Sequence, residues 1–393
     1  MHNRPDHIVG VPKSDSAAGV AFAGLIALAV AMGIGRFAFT PLLPMMQDDA
    51  GVSVAAGGWL ASANYGGYFL GALSAVWMRI RAESAIRAGL IMIGLATTAM
   101  GLVDRFAVWF ALRALAGVMS AWVFVFASAW CLEKLAPLRQ PVLNGVVFAG
   151  VGAGIAAGGG ICIALMHAKA SSAQAWIVFG VLALVLSAAI WPTFGSNGVS
   201  PRDIARSAET TQPWDSESIR LVLCYGAFGF SYIIPATFLP VMAKQVIHDP
   251  LIFGWSWPIF GAAALVSTLG AAALQGFVGN RRLWIMSHLV MALGVALPVF
   301  RPGIIGILLA ALLVGGTFMV TTMVAIRDAW EVAGRHATSL IAAMTAAFAI
   351  GQIAGPISVS YLVGDNGNFS ATLLSASCLL VLSAYALSRR LQT

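Results

Sequence analysis

The amino-acid sequence predicts an all-α integral membrane protein with twelve transmembrane helices in two six-helix pseudo-symmetric halves. Three observations predict it. Of the 393 residues, 60% are hydrophobic and only 9% are charged, against roughly 25% charged in a soluble domain. The apolar residues fall into twelve runs, each near the ~20 residues needed to cross a hydrocarbon layer of about 30 Å. Finally, the opening of the chain recurs 196 positions later. The composition excludes a water-soluble enzyme, a disordered tail and a nucleic-acid-binding domain. The net charge of +7 is dispersed in short segments between apolar runs rather than gathered on a basic face.

The runs are bounded by charge and turn clusters. The first, 18–44, follows about 17 mixed residues and is too long for a signal-peptide core, so it reads as a retained span. It ends at Asp48-Asp49. The next, 55–78, stops at Arg79-Ile80-Arg81, and 86–103 stops at Asp104-Arg105. Runs 107–131, 143–166 and 173–194 are separated by Glu133-Lys134 with Arg139, and by His167 with Lys169. The stretch 195–218 is polar and rich in Ser, Thr and Pro, the composition of a linker. Beyond it lie 219–243, 253–277, 283–300, 304–326, 338–362 and 369–388. The organisation is thus a first half at 1–195, a linker at 196–218 and a second half at 219–393.

Lysine and arginine orient the helices, because cytoplasmic loops carry the excess of positive charge. With the N-terminus inside, 16 of the 22 basic residues fall in cytoplasmic segments, four in outer segments, and Arg36 and Arg113 within spans. Both termini and the linker are therefore expected in the cytoplasm. The four cysteines all lie in apolar runs, so no disulfide framework is expected. No nucleotide, metal or nucleophile-elbow motif is present, and neither a cofactor nor a nucleic-acid partner is expected.

The repeat is sparse but in register. At 196 positions, Gly33 meets Gly229, Leu43-Pro44 meets Leu239-Pro240, Met46 meets Met242, and Gly58-Trp59 meets Gly254-Trp255. A second echo sets Gly150 and Gly154 in span 5 against Gly351, Gly355 and Pro356 in span 11. Six spans per half give both halves the same orientation, related by an axis along the membrane normal, with a substrate site near the midplane between them. Small residues spaced this way let helices approach closely.

Over essentially the whole chain the sequence resembles the major facilitator superfamily. Arg113-Ala-Leu-Ala-Gly117 in span 4 looks like its R-x-x-x-G motif. Gly154-Ile-Ala-Ala-Gly158-Gly159 in span 5 resembles its antiporter motif, with Ile155 replacing the usual proline. After span 2, Gly71, Arg79 and Arg81 match the cytoplasmic gate, whereas Ala75 stands where the family places an aspartate. Gly33-Ile-Gly-Arg36-Phe-Ala-Phe-Thr40-Pro-Leu-Leu-Pro44 and Trp59-Leu-Ala-Ser-Ala-Asn64-Tyr65 are similar to the YbfB-like bacterial branch. The resemblance implies a monomeric transporter of the bacterial inner membrane, working by alternating access.

Ionisable side chains within a span are costly and are functional candidates by default. Only Arg36 and Arg113 qualify, and no Asp or Glu lies inside a span to neutralise them. At 1.5 Å per residue, Arg36 is about 12 Å deep, Arg113 about 9 Å and Asn64 about 13 Å. Arg36 shares a helical face with Gly33 and Thr40, Asn64 with Tyr68, and Arg113 with Gly117 and Ser120. A guanidinium fork matches a carboxylate or phosphate, so a small organic anion is the expected substrate. Against this, Arg36 has a structural alternative in the backbone near Gly33-x-Gly35, and Arg113 in snorkelling to the interface. In the second half Tyr232 aligns with Arg36, and Tyr232 and Gln352 lie deep enough to line the same site; Trp255 and Trp257 read as interfacial belt residues.

The expected substrate-binding set is thus Arg36, Thr40, Asn64, Tyr68, Arg113, Tyr232 and Gln352. Gly71, Arg79, Gly117, Gly150, Gly154, Gly158, Gly351, Gly355 and Pro356 are expected to gate or pack helices. Uniport, anion exchange and co-transport of protons on the substrate's own carboxylate are all compatible with this set. The alternative function is export of lipophilic drugs or metabolites, favoured by the span-5 glycines and by 15 methionines suited to a plastic pocket.

Overall fold

A computed structural model describes residues 16–78, 80–135, 141–194, 215–273, 278–334, 337–363 and 367–389. Arg79 and most of the expected linker lie outside these residues. Among the described residues there are fourteen α-helices, one π-helical segment and no strand. Ten helices among the described residues are long and apolar enough to cross a membrane.

The first is a 33-residue rod, Ala17–Asp49, made of α1 (Ala17–Leu28), a π-helical segment (Ala29–Phe37) and α2 (Phe39–Asp49). Ser16 caps its start by accepting from the Gly19 amide at 3.1 Å. Pro41 and Pro44 cannot donate to the carbonyls four residues back, so the regular ladder fails around Phe37 and Thr40. The π-helical segment is the wider winding just before that failure.

Helices α3 (Val54–Trp77) and α4 (Ala82–Met100) correspond to the second and third expected spans, but they are not among the ten most apolar. The reason is compositional. The first carries five glycines with Asn64, Tyr65 and Tyr68; the second carries Glu83, Arg87, Thr97 and Thr98. The remaining long helices are α5 (Phe106–Leu135), α6 (Pro141–His167), α7 (Ser172–Ile190) and α8 (Ser216–Val246). A four-residue α9 (Pro250–Phe253) precedes α10 (Ser256–Ala273), α11 (Asn280–Phe300), α12 (Ile304–Ala333), α13 (Ala337–Leu362) and α14 (Ser370–Ser388). A capping box of Ser171 and Gln174 opens α7, and Asp215 caps α8. The side chain and amide of Ser218 hold the Asp215 carboxyl below the usual carboxylate range.

Neighbour relations recur along the chain. α3 packs on α5, α4 on α5 and α7, and α1 on α6; correspondingly α10 packs on α12, α11 on α12 and α14, and α8 on α13. The two groups meet through α6 with α10, α3 with α13, and α2 with α8. Small residues permit this: a methyl group on Gly152 of α6 would collide with the amide nitrogen of Leu265 on α10.

The hydrogen bonds between the groups gather at one end, near the 50–53 and 247–249 connections. Thr40 Oγ1 donates to the Ala236 carbonyl at 2.8 Å. The Tyr65 hydroxyl lies 3.0 Å from that of Thr237. Ser62 donates to Ile353 at 3.1 Å and Ser360 to Ala55 at 3.0 Å. Lys244 donates to the Pro44 carbonyl at 3.0 Å and pairs with Asp48. At the opposite end Arg281 donates to Asp328 and Glu217, each at 2.6 Å, and Arg220 pairs with the same Glu217. Asp328 is buried there.

Candidate functional site

The Gly35 and Arg36 carbonyls, near the end of the π-helical segment, accept from neighbouring side chains. Asn64, on α3, donates to Gly35 at 3.1 Å and also to the Arg113 carbonyl at 2.9 Å. Arg113, on α5, donates to Gly35 at 3.4 Å and to the Arg36 carbonyl at 3.1 Å, with its guanidinium carbon 4.7 Å from the Phe39 ring centre. Gly117 allows this: a side chain there would collide with the Asn64 carbonyl. Asn64 and Arg113 therefore fasten backbone to backbone across three helices.

Arg36 is attached differently. It is 2% exposed, with Tyr68, Tyr65 and Phe37 around it at 4.0, 5.1 and 5.2 Å from its guanidinium carbon. Its Nη2 donates to Oε1 of Gln352 at 3.1 Å, and Nε of Gln352 in turn meets the Tyr232 hydroxyl. Its Nε is buried without a partner. Among the described residues no carboxylate pairs with either Arg36 or Arg113.

Tyr232 continues the chain of contacts. Its ring lies parallel to Phe318 (1°, 5.7 Å) and to Phe348 (9°, 5.6 Å). Phe318 meets Phe260 at 5.5 Å, Phe260 meets Trp257 at 4.9 Å, and Trp257 meets Phe37 at 6.2 Å, beside Arg36. The contacts close into a circuit that starts and ends at the guanidinium.

Of the expected binding residues, Arg36, Tyr68, Tyr232 and Gln352 converge directly. Asn64 and Arg113 lie behind them on the backbone, and Thr40 bonds across to α8 one turn further along. Trp255 is 52% exposed, as a belt residue would be, whereas Trp257 is fully buried and joins the circuit. Of the expected packing residues, Gly71 abuts Val118, Gly150 abuts Leu25, Gly154 abuts Ala29, Gly351 abuts Gly226 and Gly355 abuts Ile233. Gly158 faces only the Phe179 ring at 3.7 Å, and the Pro356 carbonyl faces Gly58. Phe260, Phe318 and Phe348 were not singled out in the sequence. Aromatics at these positions give no signal in an apolar run, where every face is apolar.

The family model described as "Uncharacterised MFS-type transporter YbfB" matches residues 28–388. The chain belongs to that family. No curated protein matches it. The chain is therefore a multi-pass membrane transporter of the MFS, YbfB-like type, and Arg36 is the buried cation of this transporter that meets residues of both helix groups.

Proposed function

We propose that the chain is a secondary active transporter of a small organic anion, working by alternating access between two six-helix halves, 1–195 and 219–393, joined by the 196–218 linker. It sits as a monomer in a bacterial inner membrane with both termini in the cytoplasm. The recurring neighbour relations and the 196-residue repeat support the two halves. Bonds gathered at one end of the interface support a bundle closed on that side.

One observation carries the anion reading. Nε and Nη2 form one edge of the Arg36 guanidinium, two parallel donors that fit the two oxygens of a carboxylate. In this structure a neutral amide oxygen takes one donor and the other has no partner. An anion would satisfy both and supply the missing negative charge, displacing Gln352 Oε1. Tyr68, Tyr232 and Gln352 frame the anion; Asn64 and Arg113 position the Arg36 backbone. Thr40 belongs to the contacts that break when the closed end opens, and the paired glycines let the halves rock.

The test is ligand-induced thermal stabilisation of the purified full chain by carboxylates, phosphates, amino acids and cationic drugs. Wild type and Arg36→Gln are compared. Stabilisation by an anion class, lost in the variant, is expected. Stabilisation by lipophilic compounds, retained in the variant, would overturn it in favour of lipophilic export.

A further inference from the structure

The anion site does not stand alone. Arg36 is continuous with an aromatic wall contributed by the second half: Tyr232, Phe318, Phe260 and Trp257, with successive ring centres 4.9–5.7 Å apart. These rings lie within 30° of parallel to their neighbours, at 1°, 29° and 21°. In this structure the faces stack on one another; parted, they would accept a planar ring by offset stacking better than a puckered one of equal area. A second observation points to a ligand. The indole Nε1 of Trp257, fully buried, donates to nothing, as does Arg36 Nε. A buried unpaired donor wants an acceptor, and here two such donors sit on one circuit, with stacked rings between them.

Resting on the anion reading above, we propose that the transported anion is an aromatic carboxylate bearing an oxygen acceptor on its ring. The carboxylate takes the Nε/Nη2 edge of Arg36. The ring inserts among Tyr232, Phe318 and Phe260, and the far oxygen accepts from Trp257 Nε1. The ligand thus spans the two halves, tied to the first by charge and to the second by stacking. Gln352 and the Tyr232 hydroxyl, bonded to each other in this structure, move aside to admit it.

The experiment measures dissociation constants for the full chain in detergent, using 4-hydroxybenzoate, benzoate, cyclohexanecarboxylate, acetate and benzamide as probes. The planar acid benzoate should bind about fivefold or more tighter than its saturated counterpart, the scale of one aromatic contact. Trp257→Phe keeps a ring and removes the donor. It should weaken 4-hydroxybenzoate about fivefold more than it weakens benzoate, the scale of one hydrogen bond. Phe318→Leu should remove the preference for benzoate over cyclohexanecarboxylate.

Equal binding of benzoate and cyclohexanecarboxylate, with both lost in Arg36→Gln, would overturn the aromatic proposal and leave the anion reading standing. Benzamide binding as well as benzoate would overturn both, whereas no binding of any of these carboxylates would overturn the aromatic proposal and leave the anion reading to its phosphate and amino-acid arms. The comparison among probes on wild type needs no variant, so a misfolded variant does not blunt it. An equal loss of 4-hydroxybenzoate and benzoate in Trp257→Phe would overturn the role of the indole donor.

Discussion

Nη2 of Arg113 donates to the backbone carbonyl of Arg36 at 3.1 Å. One buried guanidinium holds the main chain that carries the other. The two arginines are neighbours, yet one is bound to the main-chain carbonyls of Gly35 and Arg36, and the other to a side-chain amide that a ligand can replace.

Removing each arginine should therefore leave different traces. Arg113→Gln takes its donor from the Arg36 carbonyl, while Gly35 keeps the bond from Asn64, and a buried group left unpaired costs about 1–3 kcal/mol. Its unfolding temperature in detergent should fall clearly. Arg36→Gln should unfold near the wild-type temperature and lose anion binding. The reverse pattern, with Arg36 the stabilising residue and Arg113 the binding one, would refute this division.

Close helix approach makes a second prediction. Gly117→Ala pushes a methyl group into the Asn64 carbonyl, while Gly160→Ala meets nothing within 4 Å. The first should lower yield and unfolding temperature by separating α3 from α5. The second should be neutral or slightly stabilising, since Ala is favoured over Gly in a helix by about 1 kcal/mol. Fluorescence-detected gel filtration of the heated proteins compares them directly; equal behaviour would mean the contact is not tight.

At the closed end, a side chain built on Gly58 would run into the hydroxyl of Ser360. Gly58→Cys with Ser360→Cys, in a background lacking Cys131, Cys162, Cys224 and Cys378, should form a disulfide on mild oxidation because a Cβ on Gly58 would collide with the Ser360 Oγ, the atom the new sulfur replaces. Transport into vesicles should stop on oxidation and return on reduction. Full transport by the cross-linked protein would show that α3 and α13 need not part.

Arg281 joins α8, α11, α12 and α14 through Glu217, Asp328 and the Leu387 carbonyl. Asp328 is 4% exposed at its side chain and Arg281 20%. Arg281→Met strands a buried carboxylate and should cost about 3–5 kcal/mol. Adding Asp328→Leu should restore much of the loss. A thermal-unfolding double-mutant cycle measures the coupling, and additive losses would place the pair among the energetically silent ones.

The helical architecture was largely legible because span length and apolarity are properties of composition. α3 and α4 blur that signal, their glycines, tyrosines and charges diluting it. At the site, Arg36 announced itself by being a charge in an apolar run, and Gln352 and Tyr232 by depth. The division of labour between Arg36 and Arg113 was not legible. It depends on which acceptors each guanidinium reaches around the π-helical segment, and no residue spacing reports that geometry. Trp257 is buried rather than in the belt; position near a span end cannot tell an inward-facing indole from an outward one. Phe318 and Phe348 needed the packing of α12 and α13 against α8 before they could be seen at all.

The spacing of 196 residues separates Thr40 from Ala236 and Asp48 from Lys244, and each of these pairs touches. On the reading of two duplicated halves, each residue meets its own counterpart, as happens on a two-fold axis. In a symmetric dimer of identical chains such an encounter is like with like, acid against acid or amine against amine. A salt bridge between Asp48 and Lys244 is forbidden there by identity of sequence. Joining two copies into one polypeptide lifts that prohibition, since the copies are then free to drift apart, and the opposed charges record that the drift has occurred.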